Sequence, residues 1–243
     1  MANINRDSVS LDSYEKMAKY YFKEVDTKSF NAYYERPGLT SIIGDVEGMK
    51  VLDAGCAAGW YTNWLLEKGA DEVIAIDFSP KMIDMTKIRV KDKENVKVIQ
   101  HDLNNSLDFI ENRSLDLIVS SLTIHYIKDL KRVFKNFYEK LKPDGRVVFS
   151  CHHPFLDFML FEKEDYFKLE LVEDEWETSI GTIQVDFYTR PLSKILEGPL
   201  SSGFVISRLE EPMPTDKFKE VNPEKYDIVL KKPRFLFIEA IKK

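Results

Sequence analysis

Val51-Leu52-Asp53-Ala54-Gly55-Cys56-Ala57-Ala58-Gly59-Trp60 reads as a buried strand, a tight turn of small residues and the start of a helix. The amphipathic stretch Trp60 to Lys68 continues that helix. Gly55 and Gly59 permit backbone conformations and close approaches that a Cβ would block. A loop of this kind lets a nucleotide-like ligand lie against bare amides at a helix N-terminus. Many α/β folds share the pattern, so the segments that follow must choose among them.

Downstream the chain alternates. Glu72-Val73-Ile74-Ala75-Ile76-Asp77 is a second apolar strand ending in a carboxylate, 24 residues beyond Asp53. That interval suits one strand–helix–strand unit, and an acid there can accept both hydroxyls of a ribose. Ser79-Pro80 marks the next helix start, with Ser79 as N-cap and Pro80 in the first turn. Val96 to Gln100 is a short third strand, followed by His101-Asp102-Leu103. Asp102 fits either an adenine amino group or a plain turn. Leu115 to Ser120 is continuous in apolar character, as a buried parallel strand should be. A helix follows from about Asp129 to Leu141. Lys142-Pro143-Asp144-Gly145 predicts a turn before a fifth strand at Arg146 to Ser150. Cys151-His152-His153-Pro154 comes next.

The flanks depart from this alternation. Before the first strand, Tyr14, Met17, Ala18 and Tyr21 fall at helical spacing. The stretch Ser29 to Val46 predicts one or two short helices broken at Pro37-Gly38. The tyrosines here suit either a cover packed on the sheet or a lid over the ligand loop. Residues 155–190 alternate like strands around Gly181 and predict an inserted β-rich flap. Leu192 to Ser201 predicts a helix, and Phe204 to Glu210 and Arg234 to Ile241 predict the last two strands.

Composition bounds the rest. The 243 residues, 44% hydrophobic and 12% aromatic, are ample for one generous domain with a packed core. A net charge of -6 and no arginine-rich stripe disfavour nucleic acid as a partner. The two cysteines, Cys56 and Cys151, are far apart, which suits reduced thiols and gives no metal-ligand spacing. No apolar run approaches the roughly 20 residues of a membrane span, and the N-terminus lacks a signal-peptide pattern. A soluble cytoplasmic protein with no membrane partner is expected. The sequence does not address oligomeric state.

Taken in order, VLDAGCAAG, IAIDFSPKMI, VIQHDL, LDLIVSSLTIHYI and LKPDGRVVFS resemble the class I S-adenosylmethionine-dependent methyltransferases of small-molecule type. The resemblance is close over residues 13–153 and looser in the tail. It implies a Rossmann-like, doubly wound α/β sheet of seven strands, mostly parallel with an antiparallel last strand, carrying the β-rich insertion. It also implies one methyltransferase domain: a helical lid (1–47), a cofactor-binding core (48–153), a flap over the active site (154–190), and a final helix and strand pair (191–243). S-Adenosylmethionine is the implied cofactor and a small molecule the implied methyl acceptor. Asp53, Gly55, Cys56 and Ala57 would hold the methionine part. Asp77 would hold the ribose, with Phe78 and Met82 flanking the adenine. Asp102 would take the adenine amino group, Leu103 the ring edge, and Ser120 would lie beside the sulfonium. Tyr21 would sit near the methionine end and Tyr34 would face the acceptor. Ala57 departs from the family, which usually carries glycine there.

Methyl transfer needs alignment and exclusion of water, and a base only when the acceptor arrives protonated. His125 and His153 are the candidates. Pro154 restricts the backbone of His153, which aims it at the pocket edge, and strand alternation would turn His152 away. Each histidine also has an ordinary structural reading as a hydrogen-bonding group; His101 reads as a surface or turn residue. A Rossmann dehydrogenase using NAD is disfavoured, because the full dinucleotide fingerprint is missing. The Asn/Asp-Pro-Pro-Tyr stretch of adenine and glutamine methyltransferases is also missing: Ser120-Ser121-Leu122-Thr123 stands there. A cofactor-binding partner subunit without activity is a further alternative.

Overall fold

The computed structural model describes residues 10–178 and 181–243, apart from the side chains of Lys19, Tyr20, Tyr21 and Lys23. The strands β1 (Lys50–Ala54), β2 (Glu72–Asp77), β3 (Val96–Gln100), β4 (Leu115–Ser120) and β5 (Leu141–His152) run parallel. With β8 (Phe204–Glu210) and β9 (Phe235–Lys242) they form a seven-stranded sheet of order β3-β2-β1-β4-β5-β9-β8. The last strand, β9, is antiparallel to both of its neighbours. This is the Rossmann-like α/β sheet expected from the sequence.

Alternation along each strand divides the core between the two faces of the sheet. Leu52, Ile74, Ile118 and Phe149 pack with Phe134 and Phe137 of α5 (Leu130–Lys140) and Ile195 of α7 (Leu192–Ser201). Their neighbours Val51, Val73, Val119 and Val148 face the other way. They pack with Tyr61 and Leu65 of α3 (Trp60–Glu67) and Leu39 and Ile43 of α2 (Arg36–Ile43). The helix after β2, α4 (Pro80–Arg89), begins as predicted: the Ser79 hydroxyl accepts the Met82 amide at 3.1 Å, and Pro80 occupies the first turn.

Three local readings change. Pro37 does not break its helix. A π turn over Asn31–Glu35 runs directly into α2, so the proline falls in that helix's first turn, where its missing N–H is tolerated. The Tyr33 carbonyl, four residues before Pro37, instead accepts the amide and hydroxyl of Thr215 at 3.0 and 2.7 Å. Lys142 to Gly145 form a bulge inside β5. The pairing with β4 jumps from Leu115↔Leu141 to Leu117↔Arg146, and Asp144 takes a φ of 60°. Two short helices, α8 (Asp216–Val221) and α9 (Pro223–Val229), separate β8 from β9. They bring Phe218 under Phe30 and Tyr34.

The insertion begins with α6 (Pro154–Leu160) and continues as a hairpin of β6 (Glu170–Thr178) and β7 (Gly181–Thr189). The hairpin packs Val185 and Phe187 against Met17 and Ala18 of α1 (Leu11–Glu24). No described helix is long and apolar enough to cross a membrane.

Candidate active site at the carboxyl edge of the sheet

The carboxyl ends of β1 to β5 open onto a cavity of about 670 Å³, within the usual range for a small-molecule site, roughly 300–1,000 Å³. The loop after β1 forms its floor. Gly55, Ala57 and Gly59 all have positive φ, at 89°, 46° and 77°. At Gly55 a Cβ would come within 2.2 Å of the Thr123 hydroxyl, so the loop can lie this close to β4 only because glycine is there. Ala57 adopts the left-handed conformation in spite of its Cβ.

Three carboxylates line the cavity at successive strand ends. Asp53 is buried and accepts the Thr62 hydroxyl at 2.6 Å; burial, reinforced by the charge of Asp77, raises its pKa to about 7. Asp77 accepts the Ala57 and Ser79 amides at 2.9 Å each, yet burial still raises its pKa to about 6. These bonds hold the carboxylate against the glycine loop. Asp102 accepts the Asn104 amide and side chain at 2.9 and 3.0 Å. Phe78, Leu103 and Cys56 line the same cavity, and burial pushes the Cys56 thiol up. Three acids around bare backbone suit a ligand that offers hydroxyl and amino donors, as S-adenosylmethionine does.

Beyond these acids the cavity continues to a second, more basic end, lined by His125, His152, Lys28, Asn222 and Arg234. His125 stacks on His152 with ring centroids 4.1 Å apart. Burial, then the charges of Arg190 and Arg234, lower its pKa to about 3, so it is neutral. Burial, then His125 and Arg234, also hold His152 well below the usual histidine range. Glu35 sits between the two ends. It is 1% exposed and accepts the hydroxyls of Tyr61, Ser121 and Ser150 at 3.0, 2.8 and 2.7 Å. Burial raises its pKa against those bonds.

Several sequence expectations place side chains elsewhere. His153 does not line the cavity. It caps α6: Nδ1 accepts the Phe155 amide at 3.3 Å, which makes Nε2 the protonated nitrogen that donates to Glu211 at 2.8 Å. The two histidines do point apart, but it is His152 that faces inward, because β5 continues through it and it shares a face with Ser150. Tyr34 is packed among Phe218 and Phe235, and its hydroxyl donates to the Pro212 carbonyl at 3.1 Å. Met82 is fully buried beneath the loop with Met17, Ala18 and Ala58. Ser120 lies under the cavity, donating to the Ala54 carbonyl at 2.9 Å, while Ser121 reaches the surface of the site. The side chain of Tyr21 lies outside the described residues. Tyr14 of α1 lines the cavity and donates to the Tyr126 hydroxyl at 2.8 Å.

His101, expected at the surface or in a turn, lines the cavity instead. Glu35 and Arg234 carry no sequence expectation. An acid and a base among aromatics in Tyr33-Tyr34-Glu35-Arg36 was a visible sign for the first. Arg234 carried none, since its position depends on where β9 joins β5.

Known proteins agree with this geometry. Residues 52–149 match the family model described as a methyltransferase domain. A candidate S-adenosylmethionine-dependent methyltransferase from Listeria monocytogenes superposes with a TM-score of 0.76 at 26% identity, over 86% of this chain and 96% of that one. An S-adenosylmethionine-dependent methyltransferase from Mesorhizobium loti does so at 0.70 and 25%, over 90% of this chain and all of that one (100%). Malonyl-[acyl-carrier protein] O-methyltransferase 1 of Ilyobacter polytropus is 23% identical over 224 residues, 90% of this chain and 71% of its own length. With three acids around a glycine loop at the carboxyl edge of this sheet, the matched domain and the solved structures it resembles mark the chain as an S-adenosylmethionine-dependent methyltransferase.

Proposed function

We propose that the enzyme methylates an N, O or C nucleophile of a small molecule that enters at the end formed by His125, His152 and Arg234. The observation that carries this reading is the continuity of one cavity from the three strand-end acids to that second, polar end. The cofactor supplies an activated sulfonium methyl.

The chain's own residues bind and align. Asp77 accepts the ribose hydroxyls, Asp102 the adenine amino group beside Leu103 and Phe78, and Asp53 with the backbone of Gly55, Cys56 and Ala57 holds the amino-acid part. Residues 1–47 and 154–190 act as a lid and flap that exclude water, which strengthens every electrostatic contact inside. His125 is the candidate proton acceptor. Neither of its ring nitrogens has a hydrogen-bond partner, whereas both nitrogens of His153 are engaged, Nδ1 in capping α6 and Nε2 with Glu211. A base held as low as His125 is weak, so alignment carries most of the rate and proton removal matters only for acceptors that arrive protonated.

A second reading has the acceptor tethered to a carrier protein, as the name of the Ilyobacter relative indicates for that protein. One experiment addresses both. The enzyme is incubated with S-adenosylmethionine carrying an isotopically labelled methyl group and a metabolite panel, and separately with acyl-carrier proteins. Label in a free metabolite supports the small-molecule reading, and label only on a carrier protein replaces it.

A further inference from the structure

Buried polar atoms in folded proteins almost always have a partner, and each exception asks for a reason. Two exceptions share the far end of this cavity. Nδ1 and Nε2 of His125, whose side chain is 5% exposed, have no hydrogen-bond partner, and neither does the buried Nε of Arg234. Topology brings the two residues together. Phe235 pairs with His152 across β5 and β9, the His153 amide donates to the Arg234 carbonyl at 3.0 Å, and His125 stacks on His152. The guanidinium of Arg234 lies 5.5 Å from the centre of the Phe30 ring, so its aromatic contact leaves its hydrogen-bonding edge to the cavity.

A guanidinium is a cation, and leaving one of its donors shut off from water without a partner is costly, as at Nε of Arg234. Among the described residues no carboxylate lies within ion-pair distance of it. The acids nearby are otherwise engaged: Glu211 with His153, Glu35 with three hydroxyls, and Asp157 beside His152 at 3.9 Å. Glu175 and Glu177 are exposed at the rim, and Glu177 accepts the Thr182 hydroxyl at 2.8 Å. The missing partner is therefore an anion that arrives from outside.

We propose that this end of the cavity is an oxyanion subsite, in which Arg234 and His125 hold a carboxylate or phosphate group carried by the methyl acceptor. Arg234 presents parallel N–H donors matched to either group, and neutral His125 adds one N–H. The subsite rests on the methyltransferase reading of the cavity and narrows it: the acceptor carries an anionic group close to its nucleophile, so that neutral His125 donates its N–H to the first and turns its bare nitrogen toward the second.

The test uses the full chain saturated with S-adenosylhomocysteine, titrated with inorganic phosphate and separately with acetate, by calorimetry and by NMR of the histidine rings. One anion is expected to bind and to move the His125 signals. The tighter of the two identifies the group as phosphate or carboxylate. Arg234→Gln should weaken that binding by roughly tenfold or more, Arg234→Lys by less, and both should leave S-adenosylhomocysteine affinity unchanged. If Arg234→Gln does not fold, Arg234→Lys and His125→Gln carry the same comparison. The subsite is overturned if neither anion perturbs His125 in the parent, or if the folded variants bind it equally well. Failure of the parent to bind S-adenosylhomocysteine would overturn the methyltransferase reading itself, and is seen separately in the first titration.

Discussion

Gly55 and Ala57 sit two residues apart in the same loop and make opposite demands. Gly55 combines a φ of 89° with the Thr123 side chain where a Cβ would go, so Gly55→Ala meets both strain and a clash. It should destabilise the fold by roughly 2 kcal/mol or more, counting about 1–2 for the left-handed backbone alone, and should lose S-adenosylhomocysteine binding. Ala57→Gly removes strain at φ 46° and should be neutral to about 1 kcal/mol stabilising, after the extra freedom it gives the unfolded chain. Urea unfolding of the pair measures both; equal losses would mean that the loop geometry is wrong. Asp53 supplies a pH-dependent case. Its carboxyl ordinarily titrates at 3.8 and burial holds it at about 7 in the fold, so the folded state binds this proton more tightly than the unfolded one. The resulting stability is complete below about pH 4 and is lost as pH rises toward 7. Asp53→Asn, which does not titrate, should gain on the parent between pH 5 and pH 8, by on the order of a few kcal/mol at the top of that range. A constant difference across this range would remove the buried-carboxylate account.

At the scale of elements, what could be read depended on whether neighbours in sequence were enough. The five parallel strands and their order could be anticipated because each is a short apolar run with a turn signal at its end, and the acids Asp53, Asp77 and Asp102 stand at those ends. His153 was misjudged because Pro154 was taken to aim it inward, when Pro154 in fact opens a helix that uses the imidazole as its cap. The π turn at Asn31–Glu35 was beyond local reasoning, because the Tyr33 carbonyl that Pro37 leaves open is taken by Thr215, the N-cap of α8, 182 residues from Tyr33 in sequence. That partnership is open to test. Thr215 hydrogen-bonds the Tyr33 carbonyl and its hydroxyl also accepts the Phe218 amide at 3.3 Å as the N-cap of α8. Thr215→Val keeps the shape and the backbone bond but drops both hydroxyl bonds. It should lower stability by about 1–2 kcal/mol, with α8 and the π turn losing protection together in hydrogen exchange. Loss of protection in α8 alone would leave capping as the whole effect.

Across the whole molecule, the cofactor end of the cavity is covered by parts of the chain that the sheet itself does not hold. Helix α1 reaches over the loop after β2: Glu15 accepts the Ser79 hydroxyl and the Lys81 amide at 3.2 Å, and the Lys81 ammonium donates back to the Glu15 carbonyl at 2.8 Å. The same helix meets the hairpin through Ser13 and Met17, so α1 and the hairpin touch each other as well as the core. Tyr14 places its ring 6.2 Å from Phe78 and its hydroxyl against Tyr126, over the part of the cavity that Phe78 lines. Contacts of this kind at the surface are individually weak, so α1 should open locally without unfolding the sheet, as segments with few buried apolar contacts do. A ligand that fills the cavity beneath Tyr14 and Phe78 binds the closed arrangement better than the open one, and shifts the population by that difference. Saturating S-adenosylhomocysteine should therefore slow amide exchange through residues 11–24 and in the β6–β7 hairpin, as well as in the loop after β1. Exchange in β8 and α7, on the far side of the sheet, should change only as far as global stability does. Protection confined to the β1 loop, with α1 exchanging as before, would show that the cofactor binds under an indifferent helix, and the lid reading of residues 1–47 would fall.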